Sequence, residues 1–140
     1  MSEIALHHIA LNCKDRLAQE RFYTKHFGFK RVKVFNPGQP NEFVMLRAGQ
    51  TCLELFSTPS NEFSGAGRRV GFKHMCFEVG DVASKLESMR GEVAITWETE
   101  GRGDQMPGLT ICFFKDPEDN FIELLQGWQD EENPPEMPPG

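Results

Sequence analysis

Apolar residues recur at every second position in short stretches of this chain and at helical spacing in two others. Around residues 8–13, Ile9, Leu11 and Cys13 alternate with His8, Ala10 and Asn12, the period of a strand with one buried face. Asp15 then caps a predicted helix whose apolar stripe includes Leu17 and Phe22, and Gly28 stops it. Strand-like runs follow at 29–35, 42–47 and 51–57. The pattern then begins again: His74, Cys76 and Glu78 oppose Met75, Phe77 and Val79, Asp81 caps, and Val82, Leu86 and Met89 form the stripe of a helix stopped by Gly91. Further runs at 93–98, 109–115 and 120–126 complete the second half.

The repeat decides the architecture. Each half opens with a His in a strand, reaches an Asp seven residues later and reads β-α-β-β-β. Turn residues at Ala48-Gly49-Gln50 and at Asp116–Asn120 predict a hairpin joining the last two strands of each half. The expected fold is α+β, two βαβββ modules forming a curved mixed sheet with helices on the outer face and a cleft on the inner face. Residues 1–127 are expected to make one domain, with module one at about 4–58, a linker at 59–70 and module two at about 71–127. Residues 128–140 are acidic and Pro-rich, with too little apolar surface to offset ordering entropy, and are expected to be disordered.

Charge narrows the partners. The formal net charge is -6, but Asp130, Glu131, Glu132 and Glu136 supply four of those negative charges in a segment without Lys or Arg, so the body is nearly neutral. No basic stripe suits nucleic acid, and no apolar run approaches the roughly 18 residues of a membrane helix. The amino terminus has no secretory pattern, so a cytoplasmic location is expected. Cys13, Cys52, Cys76 and Cys112 stand singly, without the C-x-x-C spacing of a zinc or redox motif, and are expected to be free thiols.

Alternation also says which polar residues share a face. His8 and His74 fall on the side the helices leave open, and so do Glu54, flanked by Leu53 and Leu55, and Glu123, flanked by Ile122 and Leu124. A lone strand His or Glu facing away from a helix is usually only solvated. Here the arrangement is repeated, with His to Glu separations of 46 residues in one half and 49 in the other. A carboxylate set among Leu and Ile neighbours is costly unless a cation compensates it, so a divalent-metal site is expected at His8, Glu54, His74 and Glu123. Two imidazoles and two carboxylates suit Zn, Ni, Mn, Co or Fe(II). Strand parity favours His8 over His7, which is expected to be structural.

The segments HHIALNCKD, FYTKHFGFK, CLELF, FKHMCFEVGD and FKDPEDNFIELLQ, in this order over residues 4 to about 127, resemble the vicinal oxygen chelate superfamily, which includes glyoxalase I, methylmalonyl-CoA epimerase, extradiol dioxygenases and bleomycin-resistance proteins. The resemblance implies two βαβββ modules around a metal, with His8, Glu54, His74 and Glu123 in all four ligand places. The ligand pattern is most similar to that of glyoxalase I. It implies a metal-dependent lyase or isomerase in which two neighbouring substrate oxygens chelate the ion and a ligand Glu moves a proton by way of an enediolate. Glu123 is the preferred base, and Glu54 is placed to return the proton. Asn12 and Thr58 stand where bacterial-type glyoxalase I enzymes carry an Arg and an Asn that hold the glutathione carboxylate, which puts glutathione in doubt.

Two other readings remain open at this point. One is a methylmalonyl-CoA-type epimerase, with Arg68, Arg69 and Lys73 near phosphates; the other is a non-catalytic antibiotic-binding protein. Asn12, Phe56, Cys76 and Phe121 share the ligands' parity and are candidate walls of a small-molecule pocket. Arg102 lies in the polar, Gly-rich run 98–108, which has the composition of a lid over a site. Short two-module relatives commonly dimerise, so a homodimer is expected.

Overall fold

A computed structural model describes residues 6–62, 72–136 and 138–139. Its elements are β1 (His8–Cys13), α1 (Arg16–Phe27), β2 (Lys30–Phe35), β3 (Phe43–Ala48), β4 (Thr51–Ser57), β5 (Met75–Glu78), α2 (Val82–Met89), β6 (Ala94–Gly101), β7 (Thr110–Lys115) and β8 (Phe121–Gln126). The βαβββ order occurs twice, and the fold is α+β. Two elements differ from expectation. β5 starts at Met75, so His74 stands just ahead of it, and β6 runs to Gly101 through the first part of the run read as a lid.

The strands form two four-stranded sheets, β1-β4-β3-β2 and β5-β8-β7-β6. Both are mixed by the same logic: β3 and β4 are an antiparallel hairpin, as their turn predicts, while β1 lies parallel to β4 and β5 parallel to β8. In the first sheet Ala10 is opposite Glu54, and in the second Cys76 is opposite Glu123. The register therefore places each last-strand Glu beside the second residue after a His.

The chain divides into two compact units, Met1–His74 with Lys115–Phe121, and Met75–Phe114 with Ile122–Gly140. The turn between β7 and β8 thus belongs to the first unit, although the repeat assigns it to the second half.

In the first unit Val44, Leu46, Leu53 and Leu55 are buried together with Tyr23 and Phe29. Burying a Leu such as Leu53 or Leu55 contributes about 1.5–3 kcal/mol. Asp15 caps α1 by accepting the Ala18 N–H at 3.0 Å, and Gly28, at φ 71°, ends it with a left-handed residue. The stripe expected from Leu17 is a correction: Leu17 is exposed, and the helix buries Gln19, Phe22, Tyr23 and His26. At about 100° per residue, Leu17 lies some 200° from Gln19, off the inward face. His26 packs its ring against Phe22, with centroids 5.0 Å apart.

In the second unit Val82, Leu86 and Met89 are fully buried, as the stripe predicts, with Ile122 and Leu124. Asp81 caps α2 through the Ser84 N–H at 3.0 Å. The cap residue at the other end is Arg90, with Gly91 at φ 90° one position later. Gly127, at φ 79°, is required for a second reason, because a Cβ there would overlap the Gly108 carbonyl. Beyond β8 the described residues form no helix or strand.

Candidate metal centre

β1 alternates as its sequence demands. His8, Ala10 and Asn12 are exposed on one face, while Ile9 and Leu11 are half-buried and Cys13 is fully buried on the other. On the neighbouring strand the outer residues Leu53 and Leu55 go inward and hold Glu54 outward, so that its carboxylate reaches the same open face. His8 Nε2 lies 3.5 Å from Glu54 Oε1, with side-chain exposures of 39% and 14%. Adjacent ligands on one ion, with bonds of about 2.1 Å, sit about 3–3.5 Å apart. The pair therefore fits an edge of a coordination shell without rearrangement, and its donors, an imidazole nitrogen and a carboxylate oxygen, suit a borderline divalent ion.

The second unit carries the matching carboxylate. Glu123 is half-buried on β8 between the buried Ile122 and Leu124, opposite Cys76. Loss of hydration first, and then the Glu123 charge and a hydrogen bond to it, push the Cys76 thiol up to about 12. The Cys76 thiol itself donates to the Phe77 carbonyl at 3.9 Å. His74 is exposed, directly before β5. Among the described residues no group of three or more His, Cys, Asp or Glu side chains gathers closely enough to hold an ion. The expected ligands appear as the pair His8 and Glu54, with Glu123 held beside Cys76.

Of the residues expected to wall a pocket, Asn12 and Phe56 face each other across β1 and β4. Phe56 is the end of a row of rings. It stacks on Phe43 at 4.3 Å and 22°, and Phe43 stacks on Phe35 at 4.4 Å and 9°. The row crosses β4, β3 and β2 because an irregularity between Arg31 and Lys33 returns Phe35 to the face of Phe43. Sequence reading found only Phe56; Phe43 follows from the regular β3–β4 register, and placing the β2 bulge was needed to find Phe35. Phe121, grouped with the first unit, lies under Lys115, whose Nζ is 5.2 Å from the ring centre.

Arg102 is otherwise engaged. Its guanidinium forms two 3.0 Å bonds to Asp104 and lies 5.6 Å from the Trp97 ring centre. Its backbone N–H donates to Leu109 O at 2.7 Å, and the N–H groups of Gln105 and Met106 return to Arg102 O. The segment after β6 is thus a hydrogen-bonded turn. Arg68 and Arg69 lie outside the described residues; Lys73 is exposed.

Two features escaped sequence reading. Asp116, read only as a turn residue, is 3% exposed and accepts from Tyr23 Oη at 2.7 Å, Gln19 Nε2 at 3.1 Å, Asn120 Nδ2 at 3.0 Å and the Glu118 and Asn120 backbone N–H groups. Burial, then the Asp116 charge, raise the Tyr23 phenol well above its usual range. The Asp-Pro pair at the start of the turn was the available signal, since Asp there bonds its own following backbone. The other feature is His7, whose Nδ1 lies 3.0 Å from His8 Nδ1.

Two βαβββ repeats, each with a half-buried carboxylate on its last strand, define an α+β protein of paired modules. The chain belongs to the glyoxalase/bleomycin resistance protein/dioxygenase superfamily, whose family model matches residues 5–124. It is 29% identical over 126 residues to the uncharacterized protein YwkD of Bacillus subtilis (strain 168), covering 87% of this chain and 96% of that one. Among solved structures it is similar to a glyoxalase family protein from Enterococcus faecalis, at 27% identity and a TM-score of 0.64, covering 89% of this chain and 99% of that one. It is also similar to the trypanothione-dependent glyoxalase I of Leishmania major, at 25% identity and a TM-score of 0.67, covering 89% of this chain and 87% of that one.

Proposed function

We propose that the protein is a divalent-metal-dependent lyase or isomerase of glyoxalase I type, with His8, Glu54, His74 and Glu123 as the ligand set. The observation that carries this reading is the 3.5 Å approach of His8 Nε2 and Glu54 Oε1 on the open face. The repeated register, Ala10 opposite Glu54 and Cys76 opposite Glu123, supports a matching contribution from the second half. An ion held by these residues would supply Lewis acidity to substrate oxygen and so make the adjoining C–H more acidic.

The protein's own groups do the rest. Glu123, on β8 opposite Cys76, takes the proton as general base. Glu54, after taking a proton from water, delivers it to the neighbouring carbon, and Glu123 releases its own to water. Asn12 offers an amide to substrate oxygen or nitrogen, and Phe56, at the end of its ring row, offers an apolar wall. Glutathione is not assigned as the thiol, because Asn12 cannot form the paired charge-assisted bonds of an Arg to a carboxylate. The pairing of Arg102 with Asp104 argues against a carboxylate anchor there, since a substrate must first displace Asp104.

The test is proton exchange in heavy water against a panel of thiol hemithioacetals, acyl-CoA thioesters and 2-oxo acids. Wild type is expected to incorporate deuterium into at least one class, and Glu123→Gln to lose at least about 100-fold in rate, the lower range for a general base. Equal exchange by both proteins, or exchange by neither, contradicts the proposal.

A further inference from the structure

We infer that His7 is a positioning residue that sets which ring nitrogen of His8 carries the proton, and thereby turns the His8 Nε2 lone pair toward a cation. The inference rests on the reading of His8 and Glu54 as ligands given above. Its basis is the 3.0 Å separation of the two Nδ1 atoms, with the rings 5.2 Å apart and at 90°. Two imidazole nitrogens that close share one proton between them, and each neutral ring carries a single N–H. The tautomers of the two rings are therefore tied.

When His7 Nδ1–H donates, His8 Nδ1 accepts, and the His8 proton sits on Nε2, facing Glu54 Oε1 at 3.5 Å. That arrangement suits the metal-free pair, an N–H beside a carboxylate. When His8 Nδ1–H donates, His7 Nδ1 accepts, and His8 Nε2 presents a lone pair on the Glu54 side. A cation needs the second arrangement, because a ligand His binds through one nitrogen while its other N–H is held by an acceptor. Passing from one to the other leaves both rings neutral. The bridging proton moves from His7 Nδ1 to His8 Nδ1, water removes the proton on His8 Nε2, and water supplies one to His7 Nε2. The exposure of both rings gives water that access.

The main chain fixes His7 where the contact requires it. Its carbonyl accepts the Cys52 N–H at 3.2 Å, which extends the β1–β4 pairing one residue ahead of β1 while leaving the ring in solvent. Strand alternation alone assigns His7 to the other face, so only the three-dimensional placement reveals its partner.

The experiment uses the full chain with Zn2+ as a diamagnetic probe. Nitrogen-15 NMR of the histidine rings reports the tautomers with and without the ion, and competition with a chromophoric chelator reports affinity for wild type, His7→Leu and His7→Asn. The expected spectra show His8 Nε2–H and His7 Nδ1–H without metal, changing to His8 Nδ1–H and His7 Nε2–H when Zn2+ is bound. His7→Leu is expected to weaken Zn2+ binding about 10-fold or more, and His7→Asn, whose Oδ1 takes the acceptor place, to recover most of it. Unchanged affinity in His7→Leu, or unchanged tautomers on loading, overturns the role of His7 while leaving His8 and Glu54 as ligands. Failure of wild type to take up Zn2+ removes the ligand reading and this inference together.

Discussion

Glu54 and Asp116 are both carboxylates held among apolar neighbours, and they are satisfied differently. Asp116 accepts hydrogen bonds from Tyr23, Gln19, Asn120 and the backbone, while Glu54 has the imidazole of His8 at 3.5 Å and an open face beyond it. Asp116 thus serves the fold, and Glu54 is the carboxylate proposed to meet a cation. Tyr23→Phe removes one donor from the buried Asp116 carboxylate and is expected to destabilise the protein by about 1–3 kcal/mol, read as a lower urea midpoint at unchanged slope. The same substitution is expected to leave divalent-ion affinity within about twofold, because the remaining donors hold the turn.

At the scale of elements, β1, β5 and β8 were legible because they alternate cleanly, and the two His to Glu registers followed from that. The helices were less so. α1 buries Gln19 and Tyr23 because their polar ends reach Asp116, a partner 93 to 97 residues away that no local pattern announces. An apolar search consequently chose Leu17 with Phe22, of which only Phe22 lies on the inward face. α2, whose partners are apolar, was read correctly.

Its cap gives a pH prediction. The Ser84 N–H holds the Asp81 carboxyl below its usual range. A carboxyl depressed in the folded state contributes stability above its unfolded pKa and loses it as the pH falls through the folded value. Asp81→Asn is therefore expected to match wild type near neutrality and to show a shallower loss of melting temperature on acidification. A fall as steep as that of wild type removes Asp81 from the explanation. The glycines give a steric comparison: Gly28→Ala meets only the strain of φ 71°, whereas Gly127→Ala also strikes the Gly108 carbonyl. The second substitution is expected to lower the melting temperature more.

For the whole molecule, the internal repeat carried most of the fold, since two matching halves constrain each other's reading. The repeat also concealed the grouping of Lys115–Phe121 with the first unit, because sequence similarity follows the modules and burial follows contacts. Of the candidate site, His8, Glu54, Glu123 and Asn12 were legible from parity. The Phe43 ring depended on the β3–β4 register, the Phe35 ring on a bulge, and the His7 contact on geometry ahead of a strand. No helix among the described residues is long and apolar enough to cross a membrane.

Metal content tests the central claim most directly. Equilibrium dialysis of the purified chain against Zn, Ni, Mn, Co and Fe(II), followed by elemental analysis, is expected to give one tightly held ion per site for wild type. Glu54→Gln and Glu123→Gln are each expected to bind at least about 10-fold more weakly. A wild-type protein that takes up no stoichiometric divalent ion, or variants that retain it unchanged, contradicts the account.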